Sequence, residues 1–181
     1  MITRKQFDEA REKAVSMMAE AGIKLTGEEI KHLDVADFGL GHLEVEGAQI
    51  AALVDTERLS IRLIALFPGQ TEPEHWHTAV GDKPGKEETV RILSGTVRFY
   101  LPGPEDIKEG FIPQGKEEWY TCRHEMVMQP GSQLTISPGT PHWFQAAGEG
   151  AVLICFCSTA VDAMDPFTDP SVIRVTKIIE D

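Results

Sequence analysis

Residues 87–101, EETVRILSGTVRFYL, alternate between apolar and polar side chains over most of their length. Successive side chains of a β-strand point to opposite faces, so this period of two predicts a strand with one buried face. Glu88, Val90 and Ile92 share a face, and the residues between them share the other. Because Val90 and Ile92 are apolar, we expect this face, with the carboxylate of Glu88, to look inward.

Further strands are predicted on both sides of this stretch, and turn residues bound each of them. They cover residues 59–67 (LSIRLIALF), 126–137 (MVMQPGSQLTIS) and 151–157 (AVLICFC). No helix-rich segments lie between them to form parallel crossovers. Many short strands with glycine and proline corners therefore predict a mainly β fold, a single antiparallel barrel or jelly roll.

The N-terminal segment has the apolar spacing of an amphipathic helix that ends at Gly22, followed by a shorter helix through about Leu33. Each helix begins with a capping box, in which a threonine side chain and a polar side chain three residues later bond each other's backbone. The two pairs are Thr3 with Gln6 and Thr26 with Glu29. We expect residues 1–36 to form a helical extension and residues 37–181 to form the barrel with its C-terminal tail.

Composition excludes several classes of protein. The 181 residues suit one domain, and no apolar run approaches the ~20 residues of a membrane span. The 17 basic and 29 acidic residues give a net charge of −12, which disfavours nucleic acid and anionic membranes as partners. The polar N-terminus lacks the pattern of a signal or transit peptide, and three cysteines do not form a disulfide framework. We expect a cytoplasmic protein with reduced thiols.

Two histidines in the stretch PEHWH suggest a metal site. His75 and His77 share one face if this stretch is a strand, and Glu88 points inward from the next strand. His142 follows a Pro/Gly-rich corner at the start of another strand. These four ligands suit Mn²⁺, Fe²⁺, Co²⁺, Ni²⁺ or Zn²⁺. Four protein ligands would close a tetrahedral zinc site, so manganese or iron is favoured.

Structural roles are the competing interpretation for these residue types. An isolated HxH on a strand is more often incidental than metal-binding, and only the later glutamate and histidine reverse that balance. We expect structural roles for three other histidines, packing roles for three tryptophans and small hydrophobic roles for two cysteines. They are His32, His42, His124, Trp76, Trp119, Trp143, Cys155 and Cys157. Trp143 could also border the pocket, because it follows His142.

These motifs resemble those of the cupin superfamily. HWH, Glu88 and Gly95 match the end of its first motif, with a longer spacer of ten residues between His77 and Glu88. Gly131, Gly139 and His142 match its second motif, with Ser137 at an expected proline. The segments LFPGQTEPEHWH, GKEETVR, PGTPHWFQAAGEGAV and DPFTDP are more specific, and resemble the D-lyxose isomerase family of small sugar-isomerising cupins. This resemblance runs from about residue 37 to residue 170.

The resemblance implies a cupin jelly-roll barrel, a homodimer, and a bound divalent metal that is typically Mn²⁺. It implies aldose–ketose isomerisation of D-lyxose to D-xylulose, and of D-mannose to D-fructose, through a metal-bound enediol. The metal ligands it implies are His75, His77, Glu88 and His142. Lys86 matches a lysine beside the substrate and is expected to transfer protons; Glu88 is first a ligand and second a possible base.

One departure from the family concerns the last barrel strand, where Cys155 stands at a position that is commonly glutamate. An acid/base group must then come from elsewhere, and the alternatives stay open. They are Lys86 with the metal, and the carboxylates of Glu74, Glu87, Asp162, Asp165 and Asp169.

Two other functions stay open: an Fe²⁺-dependent cupin dioxygenase, and a non-catalytic sugar-binding cupin. The substrate is expected to be a neutral sugar, because a phosphosugar needs a basic pocket. The segments around the ligands offer few cations besides Lys83, Lys86 and Arg91.

Overall fold

The computed structural model describes residues 1–82, 84–158 and 164–180. Helix α1 spans Arg4–Glu20 and helix α2 spans Gly27–Lys31. Both predicted capping boxes are present, and Gly22 follows α1 with a φ of 91°, a left-handed conformation that glycine adopts without strain. The sequence therefore predicted both helix starts correctly, and α2 ends two residues earlier than expected. Neither helix is both long and apolar enough to cross a membrane.

Ten strands account for most of the remaining regular structure in the described ranges. They are β1 (Ile2–Thr3), β2 (Asp34–Ala36), β3 (Ala48–Asp55), β4 (Ser60–Leu66), β5 (Thr71–His75), β6 (Glu88–Leu101), β7 (His124–Met128), β8 (Gln133–Ile136), β9 (His142–Cys157) and β10 (Ile178–Ile179).

Eight of these strands form one antiparallel sheet in the order β2-β3-β4-β9-β6-β7, with β5 also paired to β9 and β8 also paired to β6. The long strands β6 and β9 pair with each other and change their outer partners along their length, which curls the sheet. β9 pairs with β5 through its first residues and with β4 through its last. The predicted mainly β fold, an antiparallel sheet with an N-terminal helical segment, is confirmed.

Gly95 allows the two long strands to approach closely at a bend. Its φ is 72°, and a Cβ built there would lie 2.0 Å from the carbonyl oxygen of Gly150 on β9. The pairing register shifts directly after Gly95, as expected where a strand bends through an irregularity. A side chain at this position would push β6 away from β9.

Two apolar layers position the site. The barrel interior contains the predicted inward residues Val90 and Ile92 together with Phe144 and Leu153. A second layer fills the space between α1 and the outer face of the sheet, where Met18 and other α1 residues pack with Leu63 and Ala65 of β4. Strand β4 is therefore buried on both faces, and the open end of the barrel is left for polar chemistry.

Candidate metal centre

Three histidines meet where β5 ends and β9 begins. His75 is the last residue of β5, His142 is the first residue of β9, and the two are paired across the strands. His77 lies beyond the end of β5, so strand alternation does not place it as the sequence suggested. It reaches the same point from the following loop. All three side chains are buried.

The three rings are close enough to share one cation. One nitrogen from each ring lies within 4.8 Å of the others. The ring centroids of His75 and His142 are 4.4 Å apart, and that of His77 lies 5.1 Å from each. A metal with ordinary imidazole bond lengths of ~2.0–2.1 Å fits such a separation.

Hydrogen bonds at Nδ1 fix the orientation of each ring. Nδ1 lies 2.8 Å from the Pro73 carbonyl oxygen in His75, and 2.9 Å from the Thr140 carbonyl oxygen in His142. Nδ1 must donate to a carbonyl, which leaves Nε2 with a lone pair. The Nε2 atom of His142 is buried, and no residue in the described ranges hydrogen-bonds it. Such a nitrogen suits a metal, so the residues present fit a bound cation.

Burial keeps two of these imidazoles neutral. It lowers the pKa of His142 to about 4, and burial together with the other two rings lowers the pKa of His75 well below its ordinary value. His77 differs: burial lowers its pKa, but hydrogen bonds with Asp165 and Glu88 outweigh that effect, so the pKa is raised. Asp165 Oδ2 lies 2.9 Å from His77 Nδ1.

Glu88 begins β6 and borders the three rings. Its Oε2 lies 2.8 Å from His77 Nε2, and the Cys157 thiol contacts Oε1 at 3.7 Å. Burial raises the pKa of Glu88, but the Lys86 ammonium and the His77 hydrogen bond hold it well below its ordinary value. The side chain is therefore a carboxylate. The compact group that could hold a metal consists of the three histidines, with Glu88 adjacent to one of them.

Lys86 approaches the same carboxylates, as the sequence suggested. Its Nζ lies 3.7 Å from Glu88 Oε2 and 3.9 Å from Asp165 Oδ2, and its side chain is only 10% exposed. Of the alternative acids, Asp165 reaches the site. Asp162 lies outside the described residues.

The other alternative acids lie elsewhere. The buried Glu74 accepts hydrogen bonds from Thr121, Cys122 and Thr168. Asp169 pairs with Lys116 and accepts bonds from Ser171, and Glu87 is exposed to solvent.

A pocket opens beside the histidines, and its polar lining was only partly predicted. Apolar walls come from Ile50, Ile64, Phe144 and Phe167; polar groups come from Arg62, Glu72, His75, Lys86, Glu88, Asp165 and Arg174. The expectation of few cations is corrected here, because two arginines from distant segments line the pocket. Arg91 is exposed and does not line it, and Lys83 lies outside the described residues.

Glu72, Arg62 and Arg174 are the site residues that sequence reasoning missed. Glu72 lies on β5 three residues before His75, so proximity to the HWH segment was the signal that could have identified it. Arg62 stands out as a charged residue in the apolar stretch LSIRLIALF. No local signal marks Arg174, which belongs to the tail.

The remaining histidines and Trp143 have structural partners. His32 contacts Glu28 and His124 contacts Asp106; His42 lies 3.7 Å from Glu46. Trp143 stacks on Tyr100 with centroids 3.6 Å apart, and it does not line the pocket. Cys155 is buried in the barrel interior, as expected, and the thiol that contacts Glu88 is that of Cys157.

Relatives with similar sequences cover nearly the whole chain. A D-lyxose ketol-isomerase of Cohnella laeviribosi is 47% identical over 96% of both chains. A D-lyxose/D-mannose isomerase of Thermosediminibacter oceani is 43% identical over 98% of this chain and 99% of that protein. No protein-family model matches the chain.

Solved structures of sugar isomerases share the fold at much lower identity. The L-ribose isomerase of Acinetobacter sp. DL28 in complex with L-ribose has a TM-score of 0.84 at 14% identity, over 98% of both chains. The ligand-free L-ribose isomerase of Cellulomonas parahominis has a TM-score of 0.79 at 14% identity, also over 98% of both chains.

Proposed function

Because the chain belongs to the D-lyxose isomerase family, we propose that it converts D-lyxose to D-xylulose and D-mannose to D-fructose. The enzyme is an intramolecular oxidoreductase of the aldose–ketose isomerase type. One observation carries the assignment of this chemistry to the pocket. Three buried imidazoles, oriented through Nδ1, converge beside a carboxylate and a lysine at the end of the barrel. The D-mannose reaction is supported by the relative that is named for both sugars.

The proposed metal ligands are His75, His77, Glu88 and His142. A nitrogen and oxygen donor set suits Mn²⁺ first, with Fe²⁺, Co²⁺, Ni²⁺ and Zn²⁺ as competitors. When bound, the cation supplies Lewis acidity that polarises a sugar carbonyl and acidifies the neighbouring C–H bond. Titration of the metal-stripped protein with each of these ions would identify the preferred one.

Lys86 is proposed to move the hydroxyl proton between O1 and O2 of the open-chain sugar. The ammonium can give a proton to the oxygen that gains electron density and take one from the neighbouring hydroxyl. Glu88 and Asp165, within 4 Å of Nζ, hold the lysine over the site. The apolar walls of Ile64 and Phe167 limit the access of water.

Glu88 is proposed to act as a ligand rather than as the main base. Its Oε2 already contacts His77, and its Oε1 faces the Cys157 thiol. A carboxylate that binds a cation is a weaker base, so proton transfer at carbon needs another group.

The first test is product formation by the purified, manganese-loaded protein from D-lyxose and from D-mannose. D-xylulose and D-fructose should appear with the loaded protein and be absent with the metal-stripped one. Oxygen uptake without either ketose would favour the Fe²⁺ dioxygenase. Saturable sugar binding without a product would favour the non-catalytic cupin.

We also propose that the protein is a homodimer, as its family resemblance implies. Sedimentation equilibrium of the full chain would measure the mass. A mass of one chain at micromolar concentration would contradict the proposal.

A further inference from the structure

An aldose–ketose isomerisation needs proton transfers at two places, and the polar groups around the histidines are unevenly distributed. One transfer joins the two oxygens, and the other joins the carbons C2 and C1. Glu88 and Asp165 contact His77, and Lys86 contacts both of these carboxylates. The proton on carbon needs an acceptor that does not also orient a proposed metal ligand through a hydrogen bond.

Glu72 lies next to His75. Its Oε1 is 3.9 Å from His75 Nε2, the nitrogen that remains after Nδ1 bonds the Pro73 carbonyl. This separation is too long for a hydrogen bond, but it places the carboxylate near a nitrogen that would hold the proposed metal. The side chain is 12% exposed and lines the pocket with Lys86 and Glu88.

Three carboxylates line the pocket among the described residues, and two of them are engaged with His77. Asp165 contacts its Nδ1 and Glu88 contacts its Nε2. Moving a substrate proton onto either would disturb the orientation of a proposed ligand. Glu72 does not contact His77 in this way, and the ring that it approaches, at 3.9 Å, is that of His75.

We infer that Glu72 is a catalytic residue of this enzyme, the carboxylate that carries the proton between C2 and C1 of the bound sugar. The inference rests on the proposed isomerase function and adds a residue to that same site. It also fits the barrel interior at position 155, where this chain has the buried thiol of Cys155 and no carboxylate.

The proposed steps balance without an external oxidant or reductant. The Glu72 carboxylate takes the proton from C2, and the electrons of that C–H bond form the C1–C2 double bond. The carbonyl electrons move to O1, which Lys86 protonates to give an enediol. Lys86 then takes the O2 proton, the C2–O2 double bond forms, and Glu72 returns its proton to C1. The aldose has become a ketose.

The test compares the manganese-loaded wild type with Glu72→Gln, which keeps the side-chain size and removes the base. Turnover of D-lyxose should fall by ~10²–10⁴-fold, the usual effect of losing a positioned base. Metal content per chain should not change. In D₂O, the wild type should place deuterium at C1 of D-xylulose, and the variant should lose this exchange in proportion to turnover.

Glu74→Gln is the matched control, because it makes the same substitution two residues along β5 on a buried side chain that does not line the pocket. Its turnover per folded molecule should stay within about threefold of the wild type. In the double variant Glu72→Gln/Cys155→Glu, a carboxylate returns to the barrel interior, and we expect at least a tenfold recovery of turnover over Glu72→Gln.

Three results would overturn the inference: Glu72→Gln turnover within threefold of the wild type, retained deuterium exchange, or loss of metal, which would make Glu72 a ligand. If Glu72→Gln does not fold, Glu72→Asp keeps the charge but withdraws the carboxylate, and full activity of that variant would also overturn it. Failure of the proposed function is distinguishable, because the wild type itself would then form no ketose.

Discussion

Two glutamates on β5, Glu72 and Glu74, are both buried, yet their surroundings differ. Glu74 accepts bonds from the Thr121 hydroxyl at 2.7 Å, the Cys122 N–H at 2.7 Å and the Thr168 hydroxyl at 2.8 Å. It joins β5 to the segment before β7 and to the tail. Glu72 faces the pocket and lies beside His75.

The difference shows that burial alone does not identify a catalytic carboxylate. A carboxylate whose oxygens receive several donors from its own chain is a weak base with little freedom to meet a substrate. Glu72 lines the pocket, where a carboxylate can meet a substrate. The two glutamates therefore separate stability from chemistry: substitution of Glu72 should reduce turnover, and substitution of Glu74 should reduce stability.

The histidine cluster beside the pocket should be affected most by His142→Ala. This variant removes the imidazole whose buried Nε2 has no hydrogen-bond partner in the described ranges, so metal content should fall well below that of the wild type. Product formation should become undetectable. Metal analysis after gel filtration, with the surface variant His124→Ala as control, would measure this. Full metal content in His142→Ala would remove His142 from the ligand set.

Lys86→Met should have the next largest effect, a loss of turnover. Methionine has a similar length and shape without the charge, so turnover should fall by ~10²–10⁴-fold while the metal stays bound. Steady-state rates with D-lyxose and metal content on the same preparation would measure both. Unchanged turnover would show that the hydroxyl proton moves without this lysine.

Asp165→Asn should have a smaller effect, because Asp165 acts through His77. An amide oxygen accepts the Nδ1 hydrogen bond more weakly than a carboxylate, so metal affinity should fall by ~10–100-fold. Competition with a chelator at a fixed pH would measure the affinity. Equal affinities would show that the Nδ1 partner of His77 need not be charged.

Glu74→Gln should affect stability and have the smallest effect on activity. Glutamine keeps one acceptor oxygen but cannot satisfy all three donors, so the free energy of unfolding should fall by about 1–3 kcal/mol. Urea unfolding, monitored by tryptophan fluorescence, would measure it. A large loss of turnover without a loss of stability would show that Glu74, like Glu72, acts in the reaction.

Local sequence patterns predicted much of this molecule because local physics determines it. The capping boxes at Thr3 and Thr26 need only contacts within one helical turn. The inward position of Glu88 followed from the alternation of β6, whose outer face is partly solvated. His142 was expected at a strand start and occupies one.

The missed residues depend on contacts between distant segments. Arg62 lies on β4, where Leu63 packs under α1 and Ile64 packs in the barrel. A strand that is buried on both faces has no polar side, so alternation could not show whether the face of Arg62 and Ile64 or the face of Leu63 looks into the barrel. Arg174 reaches the pocket from a tail that the sheet register does not fix. His77 was assigned to the correct site, although it lies in a loop rather than on a strand.

The pairing of His75 with His142 has a consequence for how the chain folds. The two histidines belong to strands separated by β6, β7 and β8, so they meet only after long-range strand pairing is complete. Contacts between distant parts of a chain form slowly, and a metal that needs both rings cannot bind tightly before they meet. The rate of tight metal binding during refolding should therefore measure the rate at which the barrel closes.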